Sequence, residues 1–354
     1  MTNNKSIKLL TKKEVDDLKV KNDSTTTIVV QSGKGGVGKS VVALCSASAI
    51  AHTKQKLNIT HVTADVNEGA MRLFTEEYCN TQFPNSTNFT SIAVQDASKK
   101  TTTKINSDIK RNLLADERLV EHFKKNNKKL DDNDLNNTFY LKRTENDVET
   151  KIDYLIYDIA GGVNQIDTDD IAKDSTNAFI TVELANDLDS KINALKAIRD
   201  MENVNVELTK RFLTKNGYDV SKIPTDAFNK AKKEAMRVAK KKKITYTYVY
   251  SKNFQGPLNS KDARKTVSEL KKLENEFDIK INFLILPFVQ FNELKKRGLS
   301  YLTTREEAKE QGHSIGRIKT VEKHPEFQEF LTDLIKSILG GYTSNKYELL
   351  VKGR

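Results

Sequence analysis

Cysteine is nearly absent from this sequence: Cys45 and Cys79 are the two in 354 residues. They form no C-x-x-C pair, which argues against a disulfide framework or a thiolate zinc site. A reducing, cytoplasmic setting is expected. Long apolar runs are missing too. No stretch of about 18 apolar residues occurs, so no membrane-spanning helix is expected. Residues 1–13 are polar and lack the apolar centre of a secretory signal. No internal repeat is evident. Acidic residues fall short of basic ones, 48 against 59, leaving a formal net charge of +11 and a pI near 9.2. Such a balance favours polyanions, either nucleic acid or an anionic membrane surface, although solubility alone would also use it.

What is present is enough for a core. Hydrophobic residues make up 37% and charged residues 30%, and apolar runs recur along most of the chain, unlike a disordered sequence. The length permits one large α/β domain or two modest ones. Residues 25–31 (TTTIVVQ) are β-branched and apolar and predict a buried strand, as do 59–65, 154–157, 178–184, 245–250 and 281–286. Helices are predicted at 40–51, 189–201, 260–277 and 326–339. On the last of these Phe327, Phe330, Leu331, Leu334, Ile335 and Ile338 share one face. Strands alternating with helices imply a mostly parallel twisted sheet with helices on both faces. The expected organisation is a polar leader at 1–24, one domain at 25–340 and a tail at 341–354. Within that domain lie an elaborated region near 75–150, including a charged helical stretch near 105–126, and a basic helical region near 205–243.

The segment Gly33-Lys34-Gly35-Gly36-Val37-Gly38-Lys39-Ser40 satisfies G-x-x-x-x-G-K-[ST]. Glycines let the backbone wrap a phosphate chain closely, so that successive N–H groups can face it. The helix starting near Lys39 adds its positive end. Lys39 suits the β- and γ-phosphates and the Ser40 hydroxyl suits Mg²⁺. Val41 follows on the same helix. A strand before the loop and a helix after it supply the context the motif requires, so a nucleoside triphosphate site is expected. No [NT]-K-x-D tetrapeptide of the kind that reads guanine follows a late strand, which favours ATP.

Lys34 is more than the pattern needs. The form KGGVGKS resembles the deviant Walker A loop of the ParA/MinD superfamily of P-loop ATPases. That resemblance implies an ATP-dependent sandwich dimer in which Lys34 reaches the nucleotide of the other subunit. It further implies that Asp65, at the end of the second strand, positions the attacking water and senses the γ-phosphate near Mg²⁺. The family's D-x-D-P-Q pattern is broken there, with Thr63 at the first aspartate and Val66-Asn67 for Pro-Gln. Asp158, after the apolar Tyr154-Leu155-Ile156-Tyr157, resembles a Walker B aspartate that holds Mg²⁺ through water. The following Ile159-Ala160-Gly161-Gly162 resembles a second switch. Asn253 and Pro287 resemble the family's base-embracing positions. These likenesses cover 25–65, 151–184 and 245–298.

Residues also bear on the branch. Iron–sulfur carriers need interface cysteines, duplicated arsenite-pump ATPases need two phosphate loops, and bacterial tyrosine kinases need a tyrosine cluster where this tail has Tyr342 and Tyr347. A ParA-like partition ATPase remains, with Lys230, Lys232, Lys233, Arg237 and Lys240, Lys241, Lys242 and Lys243 as a non-specific DNA surface. These are eight positive charges in fourteen residues, and a nucleoid association would follow. The same run could be a solvated helix face. The alternatives are a MinD-like membrane-cycling ATPase using the last helix, which the acids Glu326, Glu329 and Asp333 disfavour, and an accessory ATPase of a conjugation or secretion complex. The family resemblance also implies a partner protein that stimulates slow hydrolysis.

Overall fold

A computed structural model describes residues 26–51, 57–63, 87–93, 143–145, 148–150, 153–158, 176–239, 243–252, 260–287 and 325–340. Its organising strand is β1 (Thr26–Gln31), whose Ile28, Val29 and Val30 are all buried. Burial on both faces is what an apolar run without alternation requires. Around β1 stand β2 (Leu57–Thr63), β3 (Thr87–Ala93), β6 (Tyr154–Asp158), β7 (Thr176–Leu184), β8 (Thr245–Ser251) and β9 (Ile281–Leu286). They form one seven-stranded sheet in the order β3-β2-β6-β1-β7-β8-β9, and every pairing in it is parallel. Two short strands, β4 (Arg143–Glu145) and β5 (Val148–Thr150), pair separately as an antiparallel hairpin. The β1–β7 register slips between Thr27 and Ile28, and the Asn177 side chain fills the gap by accepting the Thr27 N–H at 2.9 Å.

The helices divide between the two faces. On one lie α1 (Lys39–Ala51) and α5 (Pro325–Ile338), packed with Ile28 and Val30 of β1, Ile156, Ile180, Val249 and Leu284. On the other lie α2 (Leu188–Lys215) and α4 (Ser260–Phe277), packed with Val29, Leu155, Phe179, Tyr246, Tyr248, Tyr250 and Phe283. The period-two alternation of each strand thus feeds two cores. A further helix, α3 (Thr225–Val238), packs on α2 after a short 3₁₀ turn at Val220–Lys222.

The parallel α/β architecture agrees with the expectation from sequence. The predicted helix at 189–201 continues to Lys215, and a separate helix, α3, lies within the charged region. The six apolar residues of α5 are at most 4% exposed. Ser337 pins that helix to the sheet, bonded to the Thr247 hydroxyl and accepting from Asn282 Nδ2 at 2.7 Å. Among the described residues no helix is long and apolar enough to cross a membrane. The leader, the tail, the predicted helix near 105–126 and most of 75–150 lie outside the described residues.

Candidate functional site

The chain leaves β1 for β2 on one side of the sheet and later crosses from β6 to β7, which flank β1. The carboxyl end of β1 is therefore a topological switch point, where open α/β sheets form their ligand crevice. Residues 32–38 bridge β1 to α1 at this point. Gly36 and Gly38 have φ of +75° and +94°, backbone that L side chains rarely adopt. A Cβ on Gly38 would also stand 3.2 Å from Ser251 Oγ at the end of β8 and 3.5 Å from Leu286 of β9. Gly33 is needed for another reason: a Cβ there would lie 2.2 Å from Cβ of Asn193 on α2. Gly35 meets no such neighbour. Val37 is buried and anchors the loop in the core, with half-buried Val41 packed against the same cluster. α1 has no acidic residue in its first turn, so its positive end is uncompensated by its own side chains.

The loop's two lysines part company. Lys39 points inward. Its ammonium donates to Asp158 Oδ1 at 3.0 Å and lies 3.4 Å from Ser40 Oγ. The Lys39 and Asp158 side chains are 7% and 1% exposed. The other carboxylate oxygen of Asp158 is buried with no hydrogen-bond partner, a costly arrangement unless a ligand shell completes it. The sheet register sets Asp158 beside Val30 of β1 and Thr63 of β2. A hydroxyl and a carboxylate at the mouth of a phosphate loop are the hard oxygen donors that Mg²⁺ takes.

Lys34 points outward. It forms an ion pair with Asp187, and its side chain remains 46% exposed. Asp187 is also the N-cap of α2, accepting the Ser190 N–H at 2.9 Å. The hydrogen bond to Asp187 raises the Lys34 pKa above its ordinary value. In return, Lys34 and then the Ser190 N–H hold the Asp187 carboxyl below the usual range. Beside this pair a cleft of about 340 Å³ is lined by Gly33, Lys34, Asp189, Ile192 and Asn193. Leu188 and Ile192, one turn apart on α2, are 67% and 53% exposed.

Of the other sequence-predicted residues, buried Pro287 follows Leu286, whose backbone carbonyl accepts the Lys252 N–H at 3.0 Å. Asp65 and Asn253 lie outside the described residues, as do Lys240, Lys241 and Lys242. Lys230, Lys233, Arg237 and Lys243 are exposed. Lys232 is a correction. It is 9% exposed and turned into the protein, donating to Glu202 Oε2 at 2.5 Å and to the Phe277 carbonyl at 2.9 Å. It cannot serve a DNA surface from there. Sequence reasoning also missed Asp187. It stands 153 residues from Lys34, and its signal in the sequence is that of a helix cap. Among the described residues no cluster of three or more His, Cys, Asp or Glu could hold a metal ion.

No protein-family model matches the chain, and no curated protein matches it in sequence. Solved structures do resemble it. The ATP complex of a McdA variant from Cyanothece is 11% identical, covering 92% of this chain and 100% of its own, with a TM-score of 0.43. The MinD cell division protein of Aquifex aeolicus is 11% identical, covering 91% and 100%, at 0.42. A ParA family ATPase from Chlorobium tepidum TLS is 9% identical, covering 89% and 98%, at 0.37. Two of these, MinD and the ParA family ATPase, carry the names of the superfamily that the loop resembles. At such identities and scores they add no argument about activity, and the fold rests on the strand order and the loop described above.

Proposed function

We propose that the chain is an ATP-dependent dimerising switch that hydrolyses ATP to ADP and phosphate. The observation that carries this reading is the division of labour within the loop: Lys39 faces a buried carboxylate, and Lys34 stands at the rim. Lys39, Ser40 and the loop from Gly33 to Gly38 would hold the triphosphate, and Asp158 with Ser40 would hold Mg²⁺. The metal, when bound, supplies charge neutralisation across the phosphate oxygens. Asp65 would position water, and Asn253 and Pro287 would flank the base. Lys34 is free to meet the nucleotide of a second copy once it leaves Asp187. Leu188 and Ile192 beside it give that second copy apolar surface to cover, each contributing about 1–2 kcal/mol once its exposed part is buried. If the dimer is the active species, the ATPase rate per chain rises with protein concentration. A rate per chain that stays flat over a hundredfold range would sink the dimer.

The downstream function proposed is non-specific DNA binding in partition, with a stimulating partner protein. Its support is the exposed stripe Lys230, Lys233 and Arg237 on α3, spaced three and four residues apart, with exposed Lys243 and, in the sequence alone, the lysines at 240–242. Two of these charges already have acids nearby. Arg237 is forked onto Glu234, donating at 2.6 and 2.9 Å, and Lys233 lies 3.9 Å from Asp278. The reading therefore leans on Lys230 and Lys240–243. Replacing residues 240–243 by Glu should abolish DNA binding and spare ATP binding, and wild-type binding should fall steeply with salt. Unchanged DNA affinity would move the reading to a protein partner. A membrane role through α5 is disfavoured, because the apolar stripe such a role needs is already buried against the sheet.

A further inference from the structure

Between the sheet and the helices α2 and α4 lies a buried polar cluster that the phosphate site does not use. Glu183 on β7 is fully buried and accepts the Tyr248 hydroxyl at 2.6 Å and the Thr266 hydroxyl at 3.1 Å. Lys191 on α2 reaches Asp262 Oδ1 at 2.7 Å and Glu183 Oε1 at 3.5 Å. Asp262, in the first turn of α4, takes the Tyr250 hydroxyl at 2.8 Å on its other oxygen. Burying such a group of charges costs desolvation that an apolar core would avoid, so its placement calls for a reason.

One branch of the cluster runs outward. Asp262 Oδ2 also accepts the backbone N–H of Asn186 at 3.3 Å. Asn186 has φ of +61°, a left-handed conformation that few side chains other than asparagine adopt. It is kept there by its neighbours: Ala185 donates to the Ser251 carbonyl at 2.8 Å and Asp187 to the Leu184 carbonyl at 3.1 Å. The next residue is Asp187, which holds Lys34. Lys191 belongs to the same device, because its ammonium holds Asp262 at 2.7 Å while its backbone N–H closes the first turn of α2 onto the Asp187 carbonyl at 3.1 Å.

We infer that Asp262 and Lys191 are positioning residues: they clamp the turn at 185–187 so that Asp187 can park Lys34 at the rim of its own phosphate loop. The clamp sets how readily Lys34 is released, and so how readily two copies come together. This consequence rests on the reading of Lys34 as a residue that acts on a second copy; the parking contact does not. Burial pushes the Glu183 carboxyl up to about 7 against the lowering effect of Tyr248 and Lys191. With Glu183 protonated, the Lys191 charge is balanced by Asp262.

The test is the reactivity of the Lys34 amine in the nucleotide-free full chain, read by trace acetylation and mass spectrometry across pH. Asp187→Asn should raise Lys34 labelling severalfold, because the hydrogen bond to Asp187 holds the amine's pKa up and losing it enlarges the neutral fraction. Asp262→Asn and Lys191→Met should raise it similarly, Lys191→Arg should restore it towards wild type, and Tyr250→Phe should give a smaller increase. Should the charge-removing variants fail to fold, by near-ultraviolet circular dichroism, Tyr250→Phe and Lys191→Arg carry the test. Labelling that responds to Asp187→Asn but to no change at 262, 191 or 250 overturns the clamp. Labelling that does not respond to Asp187→Asn overturns the parking contact itself. Sedimentation of the same variants with an ATP analogue is a separate readout. A chain that stays monomeric while its Lys34 labelling responds refutes the dimer and leaves the positioning role standing.

Discussion

Replacing Lys232 by alanine removes the cation from a buried pair and leaves Glu202 behind. Glu202 is 2% exposed. It would keep the Tyr246 hydroxyl at 2.5 Å and the Asn205 amide at 3.1 Å but no opposite charge. Lys232 also ties α3 to the end of α4 through the Phe277 carbonyl. Breaking a buried pair from one side costs about 3–5 kcal/mol, a large share of the roughly 5–15 kcal/mol that holds a domain together. Lys230 is two residues away and exposed, so its alanine variant should stay within about 0.5 kcal/mol of wild type. Urea denaturation at pH 7 separates the two. With a slope of about 2 kcal/mol per molar, Lys232→Ala should lower the midpoint by about 2 M and Lys230→Ala should hardly move it. Combining Lys232→Met with Glu202→Gln should recover at least half of the loss, because the stranded charge is gone. A Lys232→Ala midpoint matching that of Lys230→Ala would refute the reasoning and return Lys232 to the surface.

Glu183 predicts a pH dependence of stability. Its folded pKa near 7 lies above the ordinary 4.5, so the folded state holds the extra proton between those values. Stability relative to Glu183→Gln is then greatest below about pH 4.5 and falls by about 3 kcal/mol as pH rises through 7; urea midpoints that track each other at pH 5 and 7.5 would contradict this. Gly33→Ala should weaken ATP binding by about tenfold, since overpacking against Asn193 costs on the order of 1–3 kcal/mol. Calorimetry should find binding partly restored by adding Asn193→Gly, and a Gly33→Ala chain that binds ATP normally would show that the loop does not depend on this contact.

The phosphate loop was legible because its physics is local: two positive-φ glycines, a lysine and a hydroxyl at fixed spacing between a strand and a helix. Strand positions were legible where both faces are apolar, as in 281–286. The strand order was not, because β6 inserts between β2 and β1 from about ninety residues away in the chain. The second half of α2 hid for a different reason. Beyond Met201 its buried face is Glu202, Asn205, Thr209 and Leu213, so the helical spacing persists while the apolar signal fades. The same polar core disguised Lys232 as one more member of a basic run. Asp187 is marked locally only as a helix cap and Asp262 only as a first-turn acid, since what distinguishes them is the company brought by β7, α2 and α4.

Sedimentation velocity with Mg²⁺ and a non-hydrolysable ATP analogue tests the central claim most directly, using wild type, Lys34→Ala and Lys39→Ala. The account predicts a monomer without nucleotide and a dimer with it for wild type. Lys34→Ala should bind the analogue yet stay monomeric, and Lys39→Ala should lose binding itself. A wild-type chain that binds the analogue and sediments as a monomer at every concentration, or a Lys34→Ala chain that dimerises as wild type does, would contradict it.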